Sequence, residues 1–338
     1  MKLTWQPITL DLHTTWRIAH GTSDQRYNVL VNIGDGDASG IGEAAGVPQL
    51  GESQEGIIQY LSALGDREWD PFAMEDILNS LPPGSRAARA GIDMALHDLW
   101  GKRLGQPLYR LLGLSPDKMP PTSFTIAMDD PAVMAERARQ SGWPVLKIKL
   151  GSQNDEAIIA AIRRVTPARL RVDANAGWSR AQAAELIPRL AQYDLELIEQ
   201  PLPAEDIDGL RWLRKQKLGL PIFADESVKD SHDVAKLAEA VDGVVIKLLK
   251  SCGIREALRA IHTARAQEMQ IMVSCMVESS VAVTAAAHLA PSCDFVDLDG
   301  PLLIKNDPYE GVSYQGAQII LPDRPGLGII PQTERKHP

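Results

Sequence analysis

The chain has 338 residues, 35 basic against 44 acidic side chains for a net charge of -9, 44% apolar residues and three cysteines. That composition supplies a sizeable core and excludes the disordered, collagenous and disulfide-scaffold classes. The negative balance argues against nucleic acid and anionic membrane surfaces as partners, since binding to either rests on lysine and arginine. Residues 1–30 contain no basic segment leading into an apolar core, and no apolar run approaches the eighteen or so residues that span a bilayer. Cys252, Cys275 and Cys293 are odd in number and far apart, which reads as reduced thiols and not as a disulfide framework or a zinc site. A cytoplasmic protein is expected.

Trp5 to Leu12 and Tyr27 to Ile33 read as strands, and Gly34-Asp35-Gly36-Asp37 is a turn signal before a further extended segment. From Ser85 to Leu112 the pattern is helical, with Ala88, Ile92, Ala95, Leu96 and Leu99 on one stripe until Gly105 and Pro107 interrupt it. The first part of the chain is therefore an α+β unit. Beyond Pro120-Pro121 come short apolar strand candidates, each followed by a helical stretch: Ser123–Met128, Val145–Leu150, Leu170–Asp173, Leu195–Glu199, Ile222–Asp225, Val244–Leu248, Ile271–Cys275 and Phe295–Leu298. Eight strands alternating with helices predict an α/β fold of parallel βαβ units, closed as a (β/α)8-type barrel. The tail from Asp307 onward returns to an extended, Pro- and Gly-rich texture and is expected to rejoin the N-terminal unit.

Lys149, Asp173, Glu199, Asp225 and Lys247 lie 24, 26, 26 and 22 residues apart, about one βα repeat each, and all stand at or near the end of a predicted strand. In a closed barrel those ends share one mouth, where catalytic groups gather. A single aspartate after a strand is commonly a helix cap or turn former. Three acids on consecutive strands at a common period, flanked by two lysines, are harder to explain that way. Three carboxylates without histidine or cysteine make a hard oxygen site suited to Mg²⁺. Such a cation would stabilise charge developing on a substrate carboxylate while a lysine on either side exchanges a proton with the adjacent carbon. A lysine acting as base must be brought from about 10.4 towards about 7–8. Lys147 and the cation would provide the positive charge for this.

The pair Lys147-Ile148-Lys149, the acids in their DAN, EQP and ADES contexts, and Ile246-Lys247-Leu248 resemble the muconate-lactonizing subgroup of the enolase superfamily. The resemblance extends over nearly the whole chain, including Gly91 to Trp100 and Gly105 to Gly113. It implies a modified TIM barrel over residues 119–305 and an α+β capping domain over 1–118, joined by the tail 306–338. Asp297-Leu298-Asp299-Gly300 ends the eighth strand with a DxD pattern similar to that of the dipeptide epimerases. In that family the two aspartates hold the substrate ammonium, which once desolvated requires anionic acceptors. An alternative is that Asp299-Gly300 forms only a turn.

The resemblance also implies that Thr125, Cys275 and Val277 line the substrate and that Lys147 adds positive charge. Cys275 reads as a small core residue and not a nucleophile. His97 reads as structural, and the histidines show no metal-ligand spacing. A loop at roughly His20 to Arg26 would read the substrate side chain. Relatives acting on L-Ala-D/L-Glu carry an arginine near its start, where this chain has His20-Gly21. Arg17 and Arg26 are nearby alternatives, and Asp24 would favour a cationic side chain. Val245 replaces a common asparagine before Ile-Lys, and Ser251-Cys252-Gly253 replaces a common Gly-Gly pair. The expectation is a dipeptide epimerase using one Mg²⁺ per subunit, in which Lys149 and Lys247 invert the α-carbon of the C-terminal residue through an enediolate. A homo-oligomer is expected. The rival readings are a muconate cycloisomerase or an o-succinylbenzoate synthase on the same scaffold, and, from another class, a non-catalytic binding protein.

Overall fold

The computed structural model describes residues 1–18 and 21–332; the side chains of residues 16–18 lie outside that description. Strand β1 (Lys2–Ile18) pairs antiparallel with β2 (Gly21–Gly34), and β3 (Ser39–Ala44) continues the sheet on β2. The two predicted segments lie inside β1 and β2. Both strands run longer because the hairpin ladder continues beyond the apolar residues, through a register shift between Asp11 and Trp16. Helices α1 (Gln54–Ala63) and α3 (Arg86–Leu104) pack on this sheet, and α2 (Met74–Ser80) packs against α3.

The predicted stripe of α3 is buried with Val29, Val31, Ile33 and Trp69. Its Ser85 side chain caps the Ala88 N–H at 3.0 Å, and Gly105 ends it at φ 65°, a left-handed conformation that glycine adopts without strain. A further turn, α4 (Leu108–Leu111), follows Pro107, so the predicted helical segment is split at its two breakers. The helix approaches β3 closely because Gly40 and Gly42 carry no side chain. A Cβ at Gly42 would stand 2.1 Å from the Gly91 carbonyl oxygen.

Eight parallel strands follow: β4 (Phe124–Ile126), β5 (Val145–Lys149), β6 (Arg169–Asp173), β7 (Leu195–Glu199), β8 (Ile222–Ala224), β9 (Gly243–Lys247), β10 (Gln270–Ser274) and β11 (Phe295–Asp297). They pair in chain order, as right-handed βαβ crossovers dictate. The intervening helices are α5 (Pro131–Ser141), α6 (Asp155–Val165), α7 (Arg180–Ala191), α8 (Ile207–Lys215), α9 (Ser231–Leu237), α10 (Ile254–Ala266) and α11 (Ser280–Ala287). After β11 comes a single short helical turn among the described residues, α12 (Gly300–Leu303), and then four short strands.

No continuous ladder joins β11 to β4 among the described residues. The ring closes through the single bridge Thr122↔Val296 and the Ser123 N–H, which donates to the Val296 carbonyl at 3.1 Å. Just before the tail, Ile304 bridges Leu12 and Lys305 donates to the Asp11 carbonyl at 2.8 Å; within it, Asn306 Oδ1 accepts the Asp11 N–H at 2.7 Å and the Leu327 N–H donates to Asp98 at 2.8 Å.

Strand alternation sorts the inward side chains into two layers. Leu197, Phe223, Val245 and Met272, with Phe295 against them, form an apolar plug separate from the main core. Arg171 lies over the Phe295 ring at 5.0 Å and donates to Glu196 and the Val296 carbonyl, both at 2.7 Å. Val245 thus belongs to the barrel floor. Two residues further along, β7, β9 and β11 carry Glu199, Lys247 and Asp297, Asp225 follows β8, and β10 carries Ser274, because the period of two returns the chain to the same face at the mouth.

Candidate active site

Register brings the ionic layer together. Lys149 stands beside Asp173 and Asp173 beside Glu199 across β5, β6 and β7, while Ser274 is flanked by Lys247 and Asp297. Asp225 follows β8 by one residue. The Lys149 ammonium lies 2.7 Å from Asp173 Oδ2 and the Lys247 ammonium 2.7 Å from Asp225 Oδ2. Lys147 rises from the same strand as Lys149 and contacts Glu199 at 2.8 Å, Asp297 at 2.9 Å and Asp173 at 3.2 Å.

Asp173, Glu199 and Asp225 each present a carboxylate oxygen within 4.8 Å of the others, and all three residues are buried. Burial drives the Glu199 carboxyl well above its usual range, with the neighbouring Asp173 charge adding to the effect. Burial also opposes ionisation of Asp173 and Asp225, but the lysines beside them outweigh it and hold both below the ordinary carboxylate range. The same pairing acts in reverse on the cations. Desolvation alone would lower Lys147, yet Asp297 and Glu199 lift it well above the usual value, and Asp225 likewise raises Lys247.

These residues fit a hard divalent cation on two grounds. Glu199 accepts from Lys147 through Oε1 at 2.9 Å, and its buried Oε2, 2.8 Å from the same ammonium, accepts no further hydrogen bond. Asp173, Glu199 and Asp225 also form an all-oxygen donor set with no histidine or cysteine, the kind of set that suits Mg²⁺.

A cavity of about 620 Å³ opens above this layer. Thr125, Lys147, Lys149, Asp225, Lys247, Cys275, Val277, Asp297 and Asp299 all line it, so the structure gathers these sequence-predicted residues at one place. Asp297 accepts from Ser123 at 2.7 Å and Ser274 at 2.9 Å, and Asp299 accepts the Thr125 N–H at 2.7 Å. Burial and the adjacent Asp297 push the Asp299 carboxyl up to about 7. Burial and Asp299 carry the Cys275 thiol well above its usual range, which suits a wall residue and not a nucleophile. Arg26 lines the mouth, but Asp24 is exposed and does not. His20 and the side chain of Arg17 lie outside the described residues. His97 lies 3.1 Å from Asp93, whose carboxylate accepts the Ile254 N–H at 2.6 Å and so caps α10, a structural role.

Sequence reasoning missed four buried or near-buried groups. Lys250 donates to Asp225 Oδ1 at 2.5 Å and to its backbone carbonyl. It stands three residues beyond Lys247 in an apolar context, which was the available signal. Glu226 lines the cavity and accepts from Asn175 at 3.3 Å. Glu43 on β3 accepts the Ser279 hydroxyl at 2.6 Å and N–H groups at the start of α11, tying the small sheet to the barrel. Glu278 is pushed up to about 8, by burial and then by Glu43. The EQP context is explained by Gln200, whose side-chain oxygen accepts the Asp225 N–H at 2.8 Å and the Ser227 N–H at 3.2 Å.

Comparison with known proteins defines the class. Residues 6–113 match the mandelate racemase / muconate lactonizing enzyme N-terminal domain family, and residues 131–335 match the enolase C-terminal domain-like family. An L-Ala-D/L-Glu epimerase from Bacteroides thetaiotaomicron is 42% identical over 98% of this chain and 88% of its own. The substrate-liganded L-Ala-D/L-Glu epimerase from Bacillus subtilis superposes with a TM-score of 0.91 at 33% identity, covering 98% of each chain. A dipeptide epimerase from Cytophaga hutchinsonii, complexed with Mg and D-Ala-L-Val, superposes with a TM-score of 0.93 at 31% identity, covering 98% of this chain and 96% of that one. The chain belongs to the enolase superfamily, and within it to the dipeptide epimerases.

Proposed function

We propose that the chain inverts the α-carbon of the C-terminal residue of a dipeptide by 1,1-proton transfer, with Lys149 and Lys247 as the two acid–base groups. One observation carries this reading. β5 and β9 stand four places apart in a ring of eight, so the two lysines face the cavity from opposite sides, with the acids on strands between them. One lysine removes the α-proton from its face, and the other delivers a proton to the opposite face. Asp173, Glu199 and Asp225 would hold one Mg²⁺ per subunit, which supplies positive charge against the substrate carboxylate as it takes up the carbanion's electron pair. Lys147 adds a further buried positive charge at the same end. Asp297 and Asp299, fixed by Ser123, Ser274 and Thr125, receive the dipeptide ammonium.

Epimerisation in D₂O should place deuterium at the α-carbon, read by mass shift. Inversion without solvent deuterium in the product contradicts the two-lysine account. A cycloisomerase or o-succinylbenzoate synthase reading gives Asp297 and Asp299 no ammonium to bind. An Asp297→Asn/Asp299→Asn double variant that kept full activity would favour it.

Arg26 supports a preference for an acidic C-terminal side chain. It is half-buried at the cavity mouth, burial pulls its pKa down, and its guanidinium donates only to the Gln25 carbonyl at 2.9 Å, with no carboxylate partner among the described residues. Glu55 at the same mouth is exposed. The relative from Bacteroides thetaiotaomicron supports the same preference. The reading also includes a cytoplasmic location and a homo-oligomer, for which Phe72, 64% exposed, offers an apolar contact and light scattering gives the test.

A further inference from the structure

A second cavity of about 190 Å³ lies where α2 and α3 of the small unit meet the N-terminal ends of α9 and α10 on the barrel. Arg86, Arg89 and Arg255 converge on it, opposed by Asp230 and Glu256. None of these residues belongs to the catalytic cavity.

The hydrogen bonds show which charges are already committed. Arg86 donates to the Lys250 carbonyl at 2.8 Å and to Asp230 at 3.3 Å. Arg255 is held by Glu75 at 2.8 Å and Asn79 at 3.2 Å. Asp230 also accepts the His232 and Asp233 N–H groups as the cap of α9, while Glu256 accepts the Ser231 N–H and hydroxyl. The first amides of α10 are occupied by Asp93, so the helix terminus is not the attraction. Of the three arginines, only the Arg89 side chain has no ion pair or hydrogen bond among the described residues, and its Nε is buried without an acceptor. A buried donor left unpaired is unfavourable, and a guanidinium is the side chain best matched to planar or tetrahedral oxyanions.

We propose that this cavity is a binding site for a phosphate-class oxyanion, either free phosphate or the phosphoryl group of a small molecule. Arg89 is the surplus cation that completes it, with Arg86 and Arg255 on its flanks. The volume accommodates one such group with a few waters. The occupant bridges the small unit and the barrel. Through Arg86 it sits one residue from the catalytic cavity, because the Arg86 N–H donates to Glu52, which lines that cavity, at 2.7 Å.

The test is calorimetric titration of the Mg²⁺-loaded full chain with inorganic phosphate and, separately, with phenyl phosphate at constant ionic strength. Saturable binding of either at one site per chain, weakened tenfold or more in Arg89→Gln and unchanged in the exposed control Arg164→Gln, supports the site. Binding of both ligands indicates recognition of the phosphoryl group itself, and binding of phosphate alone restricts the site to the free ion. Phosphate held at the Mg²⁺ site would bind Arg89→Gln as tightly as the parent, and that result overturns the proposal, as does the absence of saturable binding. Should Arg89→Gln fail to fold, Arg255→Gln serves the same comparison, with the same tenfold loss expected.

Discussion

Replacing Lys147 by methionine keeps the volume of a fully buried side chain while removing a cation that touches three carboxylates at 2.8–3.2 Å. Breaking a buried ion pair from one side costs about 3–5 kcal/mol, because the partner charges stay behind. With about 2.1 cal/mol/K per residue over 338 residues, the unfolding entropy is near 0.7 kcal/mol/K, so the metal-free protein should lose about 4–7 °C in Tm. The response to Mg²⁺ should move the other way. Removing one positive charge beside Asp173 and Glu199 makes the cation site more negative, and Mg²⁺ affinity should rise at least tenfold, about 1.4 kcal/mol. Differential scanning calorimetry with EDTA and across an Mg²⁺ titration reads both effects. An unchanged Tm in EDTA, or an Mg²⁺-induced shift no larger than in the parent, would refute the assignment of Lys147 as counter-ion to the cation's ligands.

The other predictions concern catalysis and pH. Lys247→Ala should abolish epimerisation yet retain α-proton exchange in the stereoisomer served by Lys149, followed by NMR in D₂O; equal loss of exchange with both stereoisomers in a folded, metal-bound variant argues against separate faces. Arg26→Met should lower kcat/KM for an acidic C-terminal residue by ten- to a hundredfold and leave neutral dipeptides within about threefold. Because burial and Asp297 push the Asp299 carboxyl up to about 7, KM for the dipeptide should fall as pH rises through that value, and Asp299→Asn should remove this limb. Glu278 is raised to about 8, above an unfolded value near 4.3, so the stability its protonated form confers is complete below pH ~4 and lost as pH rises through about 8. Glu278→Gln should therefore raise Tm at pH 9 relative to the parent and change little at pH 5.

The barrel and its ionic mouth were legible because both rest on local rules. Each strand is a short apolar run bounded by polar breaks, and a chemistry-bearing residue recurs at its end once per βα repeat, from Lys149 through Lys247. Residues whose role depends on contacts distant in sequence were not legible. Glu43 matters through Ser279, which lies 236 residues away, and nothing around Glu43 signals that. Lys250 escaped notice because it follows its strand by a turn, outside the period that identified Lys247. Strand length in the first hairpin was underestimated for a related reason, since a ladder between two neighbouring segments can extend through polar residues that carry no apolar alternation.

The closure of the barrel gives the eighth strand a double duty. Strand β11 meets β4 through one bridge, and the Thr125 N–H beside that junction is satisfied by the carboxylate of Asp299, while the Thr122 hydroxyl takes the Leu298 N–H at 2.8 Å. The residues that would grip the substrate ammonium are therefore also stitches in the weakest seam of the ring. Changes there that alter which amine is accepted also act on the closure of the cylinder, whereas Arg26 belongs to the hairpin of the small sheet, opposite Leu10, and stands clear of that seam.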